Sequence, residues 1–189
     1  MPYRKVVFEP GGYYHVFNRG NNYQRIFFDR DNYVYFLRQL RLHLGSDVMN
    51  VIAYCLMPNH YHLMVCLKTD KFSNLMQRFG LSYTKAINER FGRVGSLFQG
   101  PFKALKVDRE EYLLHLSAYI HLNPVAAGLV SRAEDWEFSS YREFLGVREG
   151  TLPKPSIVLS AFSSGVEYGR FVDSYVQCKT NLIDHLVIE

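Results

Sequence analysis

An apolar run of 22 residues, DVMNVIAYCLMPNHYHLMVCLK, occupies positions 47–68 and limits what the chain can form. It is rich in β-branched and aromatic residues, which favour strands over helices. Pro58 and Asn59 interrupt it, and a proline in the middle of a strand or helix removes a backbone donor and disrupts the element. The run therefore predicts two strands joined by a tight turn, which form a β-hairpin.

A strand and two amphipathic helices flank this hairpin in the sequence. Residues 11–20, GGYYHVFNRG, are aromatic and β-branched between glycines, as expected of a strand. Asp29 is a candidate cap for a first helix that ends near Gly45. Apolar residues at helical spacing follow Asp29 at Tyr33, Phe36, Leu37, Leu40 and Leu44. A second helix carries Phe72, Met76, Phe79, Tyr83 and Ile87 on one face and ends at Gly92 and Gly95.

A short strand, Phe102 to Val107, precedes a third helix. Asp108 with Glu111 predicts a capping-box start for that helix, and Pro124 predicts its end. The order β-α-β-β-α-β-α predicts an α+β fold of the ferredoxin-like type, a split β-α-β or RRM-like antiparallel sheet with helices on one face. The third helix and a C-terminal tail are additions to that unit.

Length and composition predict one main domain, at residues 1–150, and a C-terminal extension at 151–189. The formal net charge of +4 permits an anionic partner without requiring one. Cys55, Cys66 and Cys178 lack a C-x-x-C spacing, so we expect a reducing, cytoplasmic location. No uninterrupted apolar run approaches the roughly 18 residues needed to span a bilayer, so no membrane partner is expected.

His60 and His62 stand two residues apart in the second strand of the hairpin, and side chains at that spacing share a face. Two neighbouring imidazoles on an accessible face can chelate one metal ion. They can equally be ordinary hydrogen-bonded histidines. A metal site would need at least one more protein ligand.

The third helix offers such a ligand in SAYIHLNPVAAGLV, residues 117–130. Leu113, Leu116 and Ile120 form its core stripe. A second stripe beside it consists of Tyr112, Tyr119 and Asn123. The spacing of four lets Tyr119 and Asn123 reach the same place. The alternative is that the tyrosine packs at a core margin and the asparagine caps the helix.

Five motifs together resemble those of the single-tyrosine HUH transposases, and most closely the REP-associated tyrosine transposases, which are relatives of small insertion-sequence enzymes. They are YYHVFNRG, MPNHYHLMV, GRVGSLFQGPFKALKV, YIHLNPVAAGLV and WEFSSYREF. The resemblance covers residues 8–145 in the order of the family.

This resemblance implies a role for each residue of the candidate site. His60 and His62 correspond to the HUH metal ligands, Tyr119 to the nucleophile, and Asn123 to a third ligand that is often glutamine in the insertion-sequence relatives. The implied metal is Mg²⁺ or Mn²⁺. The implied activity is metal-dependent cleavage and strand transfer of single-stranded DNA near hairpins, through a 5′-phosphotyrosine intermediate.

The implied partner is single-stranded or hairpin DNA, and basic residues near the motifs are candidates for phosphate contacts. They are Arg19, Arg25, Arg90, Arg93, Lys103 and Lys106. Resemblance to the insertion-sequence enzymes would imply a homodimer that exchanges the tyrosine helix. Resemblance to the REP-associated branch implies a protein that acts as a monomer. A monomer is the favoured expectation, with a homodimer as the alternative.

Two other functions fit the same residues. One is a ferredoxin-like nucleic-acid-binding protein without catalysis. The other is a metal-dependent nuclease in which water attacks and Tyr119 only packs. The segment WEFSSYREF is interpreted as an aromatic clasp that holds the chain after the third helix.

Overall fold

The computed structural model describes residues 6–177 and contains a four-stranded antiparallel sheet in the order β2-β3-β1-β4. The strands are β1 Tyr13–Arg19, β2 Met49–Met57, β3 His60–Leu67 and β4 Lys103–Val107. The helices are α1 Arg30–His43, α2 Phe72–Phe91, α3 Glu110–Ala126, α4 Tyr141–Phe144, α5 Ser156–Leu159 and α6 Gly165–Gln177. This topology confirms the predicted ferredoxin-like α+β fold.

The central hairpin forms as the sequence predicts, with Pro58 and Asn59 in the turn between β2 and β3. The Pro58 carbonyl oxygen accepts hydrogen bonds from the backbone N–H groups of Ile26 and Phe27. The turn is thereby tied to the segment that follows β1. This contact fixes the start of β3, where the two histidines lie.

Helices α1 and α2 cover one face of the sheet. Asp29 caps α1 by accepting a hydrogen bond from the Asn32 backbone, and the Asn32 side chain completes a capping box. The five apolar residues predicted for α2 are all buried. Gly92 ends α2 in the left-handed region with φ of 60°, a conformation that glycine adopts without strain.

Helix α3 covers the opposite face, and both of its predicted ends are wrong. The backbone of Arg109 is extended and occupies the N-cap position, so the helix starts at Glu110 and Asp108 does not cap it. At the other end the helix continues past Pro124 to Ala126. Pro124 has no N–H to donate to the preceding turn, but the Ala127 N–H donates to the Asn123 carbonyl and the Leu129 N–H to the Pro124 carbonyl, so the backbone bonding continues past it.

The segment after α3 covers the outer edge of β2. The Leu56 N–H donates to the Phe138 carbonyl, and the Ser140 N–H donates to the Tyr54 carbonyl. The indole Nε1 of Trp136 donates to the Leu56 carbonyl at 2.9 Å. These bonds satisfy an edge that would otherwise expose unpaired backbone groups, as expected of the predicted clasp.

The described part of the C-terminal extension packs beside α3. Val158 of α5 and Tyr168 and Val172 of α6 are buried in the same apolar cluster as α3. Cys55 and Cys66 are free thiols, while Cys178 and the remainder of the predicted tail lie outside the described residues. Within residues 6–177, none of the helices has the length and apolar character needed to cross a membrane.

Candidate active site

His60 and His62 project from β3 toward α3, on the face of the sheet away from α1 and α2. Their ring centroids are 5.0 Å apart and the rings are nearly perpendicular. Tyr61 points the other way and is buried in the core beneath α1 and α2. The alternation of the strand thus places both imidazoles side by side, as the sequence predicts.

Helix α3 brings Tyr119 and Asn123 to these histidines. The Tyr119 ring centroid is 5.7 Å from that of His62, with the rings perpendicular. The Asn123 side chain lies beside His60 and acts on its pKa, and its Nδ2 donates to the Tyr119 carbonyl at 2.9 Å. The four residues predicted to form the site therefore meet in one place.

The two histidines differ in exposure. His60 is half-buried, as are Tyr119 and Asn123, but His62 is only 3% exposed. The expectation that both imidazoles lie on an accessible face is wrong for His62, because β1 and α3 enclose it. The accessible side of the site is therefore formed by His60, Tyr119 and Asn123.

The surroundings favour the neutral form of both imidazoles. Burial lowers the pKa of His60, and the Arg19 charge lowers it further, against the neighbouring amide oxygen of Asn123, which raises it. Burial also lowers the pKa of His62 well below its ordinary value, with contributions from His15 and His60. Neutral imidazole is the form that binds a metal ion, so both side chains are ready to act as ligands near neutral pH.

Two neighbours of these histidines were missed in the sequence. His15 of β1 is fully buried, and its Nε2 lies 2.9 Å from Nδ1 of His62. The side-chain oxygen of Asn59 lies 2.6 Å from Nδ1 of His60. Strand alternation puts His15 on the site face, but its contact with His62 depends on the β1–β3 register, which the sequence does not reveal.

The donor set suits an open divalent-cation site. It consists of two imidazoles and one amide, and no group of three His, Cys, Asp or Glu side chains in the described part of the chain is placed to hold a metal. A set of this kind leaves other positions to water or substrate oxygens. Mixed nitrogen and oxygen donors suit Mn²⁺ better than Mg²⁺, and imidazoles also suit Zn²⁺.

Arg19 and Lys103 are the predicted basic residues that share a strand face with the histidines. Arg19 is directly opposite His60 in the β1–β3 register. Its guanidinium lies 4.2 Å from the centre of the exposed Tyr23 ring, and its Nε donates to the Gln99 side chain at 2.5 Å. Lys103 is exposed on β4 opposite Phe17. Both cations can therefore face a ligand that approaches the site.

The other four basic residues lie elsewhere. Arg90 on α2 forms ion pairs with Asp29 and Asp31, at the start of α1. Lys106 pairs with Glu9. Arg93 lies over the Phe28 ring, and Arg25 is exposed with its charge acting on Tyr33. These contacts place them around α1, α2 and the outer part of β4.

Comparisons with known proteins agree with this fold. The family described as IS200-like transposase matches residues 10–123. No curated protein sequence gives a significant match. A solved REP-associated tyrosine transposase bound to a REP hairpin is 18% identical, covers 82% of this chain and 97% of its own, and has a TM-score of 0.65.

Two further solved structures have lower TM-scores. A putative transposase from Deinococcus radiodurans is 16% identical, covers 64% of this chain and 95% of its own, and has a TM-score of 0.42. The tRNA(His) guanylyltransferase from Saccharomyces cerevisiae is 12% identical, covers 96% of this chain and 83% of its own, and has a TM-score of 0.49.

The sheet, its His-x-His pair and the facing helix tyrosine define the class of single-tyrosine HUH transposases. The family match spans more than half of the sequence. The chain belongs to the IS200-like transposase family.

Proposed function

We propose that this chain is a metal-dependent endonuclease and strand transferase that cleaves single-stranded DNA near hairpins through a 5′-phosphotyrosine. The observation that carries the proposal is the position of Tyr119, whose ring lies 5.7 Å from His62 while Asn123, one turn later, lies beside His60. A tyrosine that only packed would not need to face a pair of neutral imidazoles.

In this proposal the imidazoles of His60 and His62 and the amide oxygen of Asn123 hold Mg²⁺ or Mn²⁺. When bound, such a cation supplies positive charge beside the phosphate oxygens, where negative charge increases during phosphoryl transfer. His62 is buried and so keeps a fixed orientation, whereas His60 and Asn123 are half-exposed and can meet an incoming phosphate.

Tyr119 is the proposed nucleophile. Its Oη forms a bond to phosphorus as the bond from phosphorus to the 3′-oxygen breaks. The phenol loses one proton and the departing 3′-oxygen gains one, so the products are a 5′-phosphotyrosine and a free 3′-hydroxyl. No other reactant is consumed, and attack by a 3′-hydroxyl on the phosphotyrosine reverses the step and joins strands.

The proposed substrate is DNA with an exposed single strand beside a hairpin. The solved relative with a TM-score of 0.65 is bound to a REP hairpin, which supports this class of partner. Arg19 and Lys103 offer phosphate contacts beside the site, and the exposed Tyr23 ring offers a stacking surface. Because Tyr119 meets histidines of its own chain, we propose that a monomer is sufficient.

The experiment uses hairpin DNA with a single-stranded flank, labelled at either end, in Mn²⁺, followed by a denaturing gel. We expect a slow protein-bound band with the 3′ label only, because a 5′-phosphotyrosine retains the downstream fragment. The band should be absent with EDTA and in Tyr119→Phe, and present in the control Tyr112→Phe. Cleavage without a protein-bound band would instead indicate attack by water, and binding without cleavage would indicate a non-catalytic binder.

A further inference from the structure

The Asn59 side chain has contacts that fix which way its amide is turned. Its Nδ2 donates to the Tyr23 carbonyl at 3.2 Å, so its Oδ1 faces Nδ1 of His60 at 2.6 Å. An amide oxygen only accepts hydrogen bonds, so Nδ1 of His60 must carry the proton. The Nε2 of the neutral ring then keeps its lone pair.

His15 makes a related contact with the second histidine. Its Nε2 and Nδ1 of His62 share one proton across 2.9 Å inside the protein. If His62 donates that proton, its Nε2 keeps a lone pair for a metal ion. If His15 donates it, neutral His62 must carry its proton on Nε2 and cannot bind the ion there.

We propose that Asn59 and His15 are positioning residues, which occupy Nδ1 of His60 and His62 and so present both Nε2 atoms to the cation. This inference rests on the proposed metal-dependent function and extends it to residues that are not proposed as metal ligands. Partners of this kind fix the ring orientation and raise the basicity of a metal-binding histidine.

Both positioning residues are held firmly by the fold. The Asn59 backbone carbonyl accepts a hydrogen bond from the Gly20 N–H at 2.7 Å, which fastens the β2–β3 turn to the end of β1. The His15 ring is fully buried, 4.9 Å from the Phe17 ring and 6.2 Å from the Tyr119 ring. The two imidazoles of the site are therefore oriented before any ion binds.

The first test needs no metal and no activity. Nitrogen-15 NMR of the imidazoles in the metal-free protein reports which ring nitrogen carries the proton. We expect the Nδ1-protonated form for both His60 and His62, although histidine in water favours the other form. In Asn59→Ala, His60 should revert to the form preferred in water. Nε2 protonation of either ring in the parent would overturn the proposal.

The second test measures Mn²⁺ affinity by calorimetry and the melting temperature without metal. We expect Asn59→Ala and His15→Ala to bind Mn²⁺ about ten- to a hundredfold more weakly than the parent. Asn59→Asp and His15→Gln should recover most of the affinity, because each variant side chain supplies an oxygen that can accept the Nδ1 proton. Asn74→Ala, on the exposed face of α2, is the matched control and should match the parent.

The outcomes separate this inference from the proposed function. If the parent binds Mn²⁺ and forms the protein–DNA band while the alanine variants keep parental affinity, the positioning roles are wrong and the nuclease stands. The positioning roles are also wrong if affinity falls only in proportion to a lowered melting temperature. If the parent binds no Mn²⁺ at all, both proposals fail.

Discussion

Two groups of side chains that include histidines lie on opposite sides of helix α3. They differ in whether the chain itself supplies all of their hydrogen-bond partners. On the sheet side, Tyr119 and Asn123 stand half-exposed beside His60 and His62. On the other side, His121 is fully buried and hydrogen-bonded through both ring nitrogens, to Tyr168 at 2.7 Å and to Ser140 at 2.8 Å. We call the first the front network and the second the back network.

The back network is complete within the chain. The Tyr54 N–H donates to the Ser140 hydroxyl, whose single proton can go either to the Tyr54 carbonyl at 3.2 Å or to Nε2 of His121 at 2.8 Å. We take the second arrangement. Nδ1 of His121 can then donate to Tyr168, whose hydroxyl donates to Ser117 at 3.0 Å. Burial lowers the pKa of His121 to about 3, so the ring stays neutral and one consistent set of donors runs through it.

The role of a histidine on this helix or beside it depends on the exposure of its network and on the hydrogen-bond partners of its ring. The back network joins β2, α3 and α6 through buried groups, and it satisfies every hydrogen bond that it needs. The front network combines a potential nucleophile with the half-buried imidazole of His60 and the buried imidazole of His62. Changes in the back network should therefore alter stability alone, whereas changes in the front network should alter chemistry.

The largest expected effect is the loss of cleavage in Tyr119→Phe. Removing the attacking hydroxyl should lower the cleavage rate by at least about a thousandfold, as for other nucleophiles. Hairpin binding should stay within a few fold, because the hydroxyl contributes little to ground-state affinity. Gel cleavage and fluorescence-anisotropy binding assays check this. Cleavage near the parental rate would remove Tyr119 from the front network.

The next effect concerns His60→Ala and His62→Ala. Either should remove divalent-dependent cleavage, and the double variant should be scarcely worse, because residues that act as one unit are not additive. Mn²⁺ should raise the melting temperature of the parent only. Cleavage that persists in EDTA, or in the folded double variant, would make both histidines structural.

His60→Ala and His62→Ala should also differ in their free energy of unfolding. His62→Ala leaves the buried Nε2 of His15 without this partner, so the free energy of unfolding should fall by about 1–3 kcal/mol. His60→Ala should change it less, because His60 is half-buried. Chemical denaturation in EDTA measures both values. A larger loss in His60→Ala would reverse the assignment of the buried and accessible ligands.

Tyr168→Phe in the back network is expected to change stability and to leave activity unchanged. The change leaves the buried groups of His121 and Ser117 without a hydroxyl partner, which should lower the free energy of unfolding by about 1–3 kcal/mol. Cleavage per folded molecule should be unchanged. Tyr35→Phe on α1 is a matched control. A loss of cleavage without a loss of stability would couple the two networks.

His121 should also make the free energy of unfolding depend on pH. Its pKa is about 3 in the folded chain and about 6.5 when unfolded, so the unfolded chain binds the proton first as the pH falls. Stability should be complete above pH 6.5 and decline toward pH 3, by at most about 1.4 kcal/mol per pH unit from this group. His121→Gln should flatten the slope in denaturation curves, and an unchanged slope would contradict this.

Much of the fold follows from the sequence because the periodic patterns are long. The sequence predicts the hairpin around Pro58 and the five buried residues on the apolar face of α2, and the structure confirms both. The ends of α3 were predicted wrongly. Asp108 is a residue type that often caps helices, but it precedes the N-cap Arg109, and Pro124 lies inside the last turn. Local composition indicates a boundary, but tertiary packing decides it.

Only those parts of the site that depend on residue spacing within a single strand or helix could be predicted from the sequence. His60 with His62, and Tyr119 with Asn123, follow from strand and helix periods, and the structure brings the two pairs together. The contribution of His15 depends on strand register. The distinction between His121 and the front histidines depends on α6, whose Tyr168 is 47 residues away. Single-sequence patterns do not contain such long-range contacts.

The central claim is that Tyr119 becomes joined to DNA, and mass spectrometry of the trapped complex tests it directly. The parent is incubated with hairpin DNA and Mn²⁺, digested with nuclease and trypsin, and the peptide of residues 110–132 is fragmented. This peptide contains both Tyr112 and Tyr119, so the fragment ions decide between them. We predict a nucleotide phosphate on Tyr119 and none on Tyr112. An unmodified peptide in a sample whose DNA has been cleaved, or a nucleotide on Tyr112, would contradict the account.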